Sequence, residues 1–99
     1  MAEREINWTR KALEDKTAIM EYWYFKTRSV DYPVKLERLI SSTLSLVSVQ
    51  PRIGPIFDEK RNIRYACIRD HKIYYTFTDR VITVLTIWDT RRDQKNLDV

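Results

Sequence analysis

The stretch IRYACIRDHKIYYTFTDRVITVLTIWDTRRDQKNL, residues 63–97, decides the fold. Three runs within it, 63–69, 72–78 and 81–88, are rich in β-branched and aromatic residues and have the length of ordinary strands. The joints around Asp70-His71 and Asp79-Arg80 are too short for a parallel crossover, so the runs form antiparallel hairpins. This meander is followed at once by Asp89-Thr90-Arg91-Arg92-Asp93, the place to look for function. His71 falls in a tight turn and is expected to be exposed there. Cys67, mid-strand and the only cysteine, cannot close an internal disulfide and reads as a small buried residue.

Working outward, Glu5-Ile6-Asn7-Trp8-Thr9 alternates like a first strand, and Thr9 is placed to cap a helix over 10–27. Ala12, Ile19, Met20 and Trp23 recur at helical spacing in it, with Leu13 and Tyr24 at the edges of the stripe. Tyr22-Trp23-Tyr24-Phe25 spans more than one turn, so one of these rings must face outward unless a partner covers it. After a break at 29–33, a second helix over 34–49 carries Leu36, Leu39, Ile40, Thr43, Leu44 and Val47 on one face. Lys35, Glu37, Arg38, Ser41, Ser42, Ser45 and Ser48 make its other, solvated face. Pro51, Gly54 and Pro55 end that helix, and 57–62 reads as a charged loop. Beyond Trp88 the chain forms either a helical turn or a frayed end. The order is β-α-α-β-β-β, an α+β fold. A helical hairpin packs on a mainly antiparallel four-stranded sheet, in a single domain over 1–99.

Ninety-nine residues suffice for one modest core without staples. Of the net charge of +4, one excess positive charge falls up to Pro51 and three beyond it, a balance that suits an acidic or nucleic-acid partner without requiring one. One His, one Cys and scattered carboxylates give no metal-ligand spacing, and a single Gly leaves no phosphate-cradling loop. No metal or cofactor is expected. No run approaches a membrane span and the N-terminus is unlike a signal peptide, so the expected location is the cytoplasm, with no membrane partner.

Side chains alternate along a strand. Ile73, Tyr75 and Phe77 form the more apolar set and should face the helices. That leaves Lys72 and Tyr74 on the open face, joined by Arg64 if the register brings it there. Arg91 and Arg92 lead off the last strand toward the same surface.

His71-Lys72-Ile73-Tyr74-Tyr75, the strand Val81-Ile82-Thr83-Val84-Leu85-Thr86-Ile87-Trp88 and the sequel Arg91-Arg92-Asp93 resemble the C-terminal half of the RelE/ParE superfamily. These are the small toxins of bacterial type II toxin–antitoxin pairs, tied to plasmid stabilisation and growth inhibition. The resemblance covers nearly the whole chain, since a leading strand and helical hairpin are expected of that family too. It implies a cytoplasmic toxin held in a hetero-oligomer by a cognate antitoxin, whose segment would anchor on Trp23, Tyr24, Phe25 and Trp88. RelE-like members are ribosome-dependent mRNA endoribonucleases. In such an enzyme Arg64, Lys72, Tyr74 and Arg91 would carry the attack of a ribose 2′-hydroxyl on its phosphate. Several nuclease members also place a Tyr or a His-Tyr pair near the C-terminus. This chain has none after Trp88, and Asp89 stands where many members carry His. ParE-like members inhibit DNA gyrase and need no acid–base set, and the Arg-Arg-Asp ending leans that way. In either case Arg69, Arg91 and Arg92 are the candidates for touching the target. A toxin-like module that only binds is the third reading.

Overall fold

The computed structural model describes residues 3–99. Strand β1 (Glu5–Trp8) leads into helix α1 (Arg10–Thr27) and helix α2 (Asp31–Val49). A short 3-10 turn (Pro51–Ile53) precedes β2 (Ile56–Asp58), β3 (Ile63–Ile68), β4 (His71–Phe77) and β5 (Val81–Asp89), and a second 3-10 turn (Gln94–Asn96) follows. The five strands form one sheet in the order β1-β5-β4-β3-β2. Only β1 is parallel to its neighbour, pairing Glu5 with Val81 through Trp8 with Val84. The α+β reading and its element order hold, with one strand more than the four expected. The extra strand, β2, begins one residue before the segment 57–62 read as a charged loop and runs into it. It is three residues long, and its pairing with β3 is irregular between Ile56 and Asp58. So short an edge strand carries no alternation to read.

Local chemistry sets the helix ends. Thr9 Oγ1 accepts from the Ala12 N–H (3.1 Å) and donates toward the carbonyls of Val84 (3.0 Å) and Leu85 (3.1 Å), so one hydroxyl caps α1 and ties it to β5. Arg28, in the left-handed region at φ 55°, closes α1 by donating its N–H to the Tyr24 carbonyl. Helix α2 starts three residues earlier than predicted, with Pro33 accommodated in its first turn.

The helical hairpin covers one face of the sheet. Ala12, Leu36, Ile40 and Leu44 meet Ile68, Ile73, Val84 and Ile87, and Val47 meets Tyr75 and Ile82. Each Leu, Ile and Val side chain among them contributes about 1.5–3 kcal/mol when fully buried. Ser48, read as solvated, is buried as well. Its hydroxyl donates to the Ser45 carbonyl (2.6 Å), which satisfies it without leaving the helix.

The other face is not open. Ile63, Tyr74 and Trp88 form a further core there, closed by Phe57, Tyr65, Leu85, Leu97 and Val99. The C-terminal segment therefore packs down on the sheet, and Arg61 Nη1 donates to the Val99 carbonyl (2.5 Å).

Candidate functional site

The two-residue turn Arg69-Asp70 joins β3 to β4, with Arg69 at φ 53°. The turn after β5 is fastened to it, because the N–H and hydroxyl of Thr90 both donate to the Asp70 carbonyl (2.9 and 3.1 Å). Arg69, Arg91 and Arg92, all exposed, are thereby carried on two adjoining turns at one end of the sheet. Asp89, the last residue of β5, organises this end. Its Oδ1 accepts from the Arg91 N–H (2.9 Å) and Nε (3.0 Å), and its Oδ2 accepts from Nη2 (2.6 Å). This two-pronged bond from the Arg91 guanidinium, acting against partial burial, lowers the Asp89 carboxyl to a pKa of about 2. Asp89 is thus a fixed anion that positions Arg91, and not a proton donor near neutral pH. Arg92 takes a different position, with its guanidinium carbon 4.1 Å from the centre of the Trp88 ring. It forms no ion pair among the described residues.

Between this arginine turn and α1 runs a cleft of about 380 Å³, walled by Tyr22 and Trp23 on one side and by His71, Asp89, Arg91 and Arg92 on the other. His71 corrects the sequence reading. It opens β4 opposite Asp89 and is 3% exposed, where an exposed turn residue was expected. The turn closes one residue earlier, at Arg69-Asp70, and so draws His71 into the ladder. Burial lowers its pKa, against the opposing pull of Asp89, and its Nδ1 has no partner among the described residues. A neutral imidazole thus lies on the same wall of the cleft as the arginines. Cys67, expected inside, is exposed, because it pairs with Lys72 on the face away from the helices.

The four residues assigned to RNA cleavage do not converge. Cross-strand partners share a face, and Arg64 pairs with Tyr75, so Arg64 lies on the helix side. Its Nη1 donates to the carbonyls of Arg52 (3.1 Å) and Gly54 (2.7 Å), which gives it a structural occupation. Tyr74, expected on an open surface, is fully buried on the opposite face. Phe57 stands edge-on to it at 4.9 Å, and the Tyr74 hydroxyl has no partner among the described residues. Burial raises its pKa, so it holds its proton. Lys72 shares Tyr74's side of the sheet, with Nζ 4.6 Å from the Tyr65 ring centre. Arg91 is bound to Asp89 at the strand end. Among the described residues no three His, Cys, Asp or Glu side chains come together as a metal site.

The aromatic candidates divide. Tyr24 and Phe25, toward the end of α1, are exposed, 42% and 56%, and stand edge-on to each other; Val30 and Val34, around the start of α2, are exposed as well. Trp23 is half-buried against Tyr32 (ring centres 4.7 Å apart). Trp88, expected as a surface anchor, is 4% exposed and belongs to the core beneath the C-terminal segment, as its alternation with Ile87 places it. Sequence reading passed over Tyr22, 52% exposed, which stands edge-on to Trp23 and walls the cleft. The width of the aromatic cluster was the signal for it.

A helical hairpin on one face of a mainly antiparallel sheet, ending in an arginine-rich turn, is the architecture of RelE/ParE-type toxins. Residues 6–94 match the model of the family described as the ParE toxin of the type II toxin-antitoxin system parDE, and the chain belongs to that family. Among solved structures it is similar to a chain of the "Chromosomal ParDE TA system from P. aeruginosa", with a TM-score of 0.70 and 19% identity, over 88% of this chain and 96% of that one. At that identity the likeness speaks for the fold. No curated protein matches significantly in sequence.

Proposed function

We propose that this toxin arrests growth by binding DNA gyrase, with no cleavage chemistry of its own, and that a cognate antitoxin neutralises it in a hetero-oligomer. The separation of the nuclease candidates carries this reading. Arg64 is occupied by carbonyls on the helix side, and Tyr74 is sealed on the other. Cleavage of a phosphodiester needs a base, an acid and cations around a single phosphate. A binding surface needs only the exposed arginines on the two joined turns and the cleft beside them. Arg69, Arg91 and Arg92, flanked by Tyr22, are the residues this reading assigns to the target. Tyr24, Phe25 and the half-buried Trp23 are those it assigns to the antitoxin. A gyrase target places the protein in the cytoplasm. Consistent with that, no described helix is long and apolar enough to cross a membrane.

Induced expression of the chain alone tests it, followed by primer extension on abundant mRNAs and by plasmid topology. Arrest with intact mRNA and relaxed plasmid is expected. Cuts inside translated codons, abolished by Arg91→Ala, would replace gyrase with the ribosome and make the chain an endoribonuclease. Unimpeded growth with folded protein would leave a toxin-like binding module.

A further inference from the structure

A second basic site lies at the other end of the strands, away from the arginine turn, and the functional reading above does not use it. Arg4, just before β1, and Arg52, in the 3-10 turn after α2, both stand over the ring of Phe77 at the end of β4. Their guanidinium carbons are 5.9 and 5.4 Å from the ring centre. They border a cleft of about 450 Å³ whose walls include Pro51, Ile53 and Asp79. Arg4 donates Nε to the Thr78 carbonyl (2.8 Å) and Nη1 to the Ser48 carbonyl (3.3 Å), so its position is fixed while Nη2 has no acceptor among the described residues. The backbone under Arg52 is fixed from both sides. The Tyr75 hydroxyl donates to the Pro51 carbonyl (2.7 Å), and Arg64 Nη1 donates to the Arg52 carbonyl (3.1 Å). The Arg52 guanidinium itself has no hydrogen-bond acceptor or ion pair among the described residues, and Asp79 pairs with neither arginine. Two like charges border one cleft beside one ring, and neither has an ion-pair partner among the described residues, which leaves the arrangement electrostatically incomplete. A single oxyanion completes it, by accepting from the fork of Arg52 and the free edge of Arg4.

We propose that this cleft takes a carboxylate side chain from an acidic, partly apolar peptide segment of the antitoxin, a contact that rests on the toxin–antitoxin reading above and adds its second point of attachment. The surroundings favour a peptide over a nucleic acid. A phosphodiester chain would carry its repeated charge past Asp79, on the wall of the same cleft. A peptide places one carboxylate between the arginines and an apolar side chain against Ile53, which is 50% exposed beside them. Arg4 and the backbone under Arg52 are held in place beforehand, which reduces the ordering entropy that opposes binding.

The test uses the full-length chain and the antitoxin encoded by the adjoining reading frame. Their dissociation constant is measured at low and at high salt, for the wild type, Arg52→Gln and Arg52→Lys. Arg52→Gln is expected to weaken the complex about tenfold or more and to flatten its salt dependence. Growth arrest by the chain alone and its thermal midpoint should stay close to the wild type, because Arg52 is exposed and its side chain makes no hydrogen bond or ion pair among the described residues. Arg52→Lys, which keeps the charge and loses the fork, should recover part of the affinity. An Arg52→Gln complex within about twofold of the wild type would overturn the site while leaving the toxin reading intact. Loss of binding to a short DNA duplex, with antitoxin affinity unchanged, would overturn the peptide in favour of nucleic acid. A wild-type chain that binds no antitoxin would overturn both readings together.

Discussion

At the scale of single residues, the chemistry of the arginine turn rests on Asp89. Its carboxyl is held at about 2 by the Arg91 side chain, against an ordinary value of 3.8. A carboxyl depressed on folding contributes stability that is present above its unfolded value and lost as pH falls through the folded one. The wild type should therefore lose thermal stability as pH drops from about 4 to about 2 by more than Asp89→Asn does, and the two curves should converge at the acid end. Parallel Tm curves across that window would show that the bond to Arg91 is made only in passing. Little of this was legible in the sequence. Asp89 stands where a histidine is common in the family, and that observation marks the position without saying what the carboxylate does. Its role follows from geometry, since a residue two positions on can fold back onto it only once the strand has ended. His71 was equally hidden. A residue at a strand's first position and one in the turn before it differ by a single step in sequence and by complete burial in space.

At the scale of elements, α1 is joined to β5 by more than apolar packing. The β4–β5 register shifts between Tyr74 and Tyr75, and the irregularity turns Thr86, fully buried, toward α1. There Asp15 accepts from the Thr86 hydroxyl, the Ile87 N–H (3.3 Å) and Lys11 Nζ (3.1 Å). Asp15→Ala leaves the buried hydroxyl and the bulge amide without their acceptor. A loss of about 1–3 kcal/mol in urea unfolding is expected. Thr86→Val in the same background should cost less than it does in the wild type, since the two side chains form one unit. Equal costs in both backgrounds would mean that the bond adds nothing. The β3–β4 pairing, by contrast, is regular, and it decides what pattern reading found and missed in the sheet. Ile73, Tyr75 and Phe77 were assigned to the helix face from their apolarity, and that holds. Arg64 was not assignable, because its face depends on the parity of the β3–β4 turn. A turn of two residues, Arg69-Asp70, sets Ile68 against His71 and puts Arg64 opposite Tyr75.

At the scale of the whole molecule, a buried aromatic contributes to folding while an exposed one is left free to meet a partner, and composition alone cannot tell them apart. The chain forms a flattened body, 41 × 32 × 21 Å, with the helical hairpin on one broad face and the C-terminal segment on the other. The α+β order and the hairpin were legible because helical and strand periodicities persist over many residues. The coverage of the second face was not, since Phe57, Leu97 and Val99 come from short segments that carry no period. That coverage decides the fate of Trp88. Trp88→Ala removes a ring from the core that also holds Ile63 and Tyr74, and about 3–5 kcal/mol of stability should go with it. Phe25→Gln, at an exposed position toward the end of α1, should change stability by no more than about 0.5 kcal/mol. If the end of α1 receives the antitoxin, Phe25→Gln should nevertheless weaken that complex, because a large ring at an interface core carries a disproportionate share of the binding energy. Denaturant unfolding gives the first pair of values and titration with antitoxin the third. A Phe25→Gln chain that binds as the wild type does would move the antitoxin off the end of α1. The rings at Tyr24 and Phe25 would then be exposed without serving that contact.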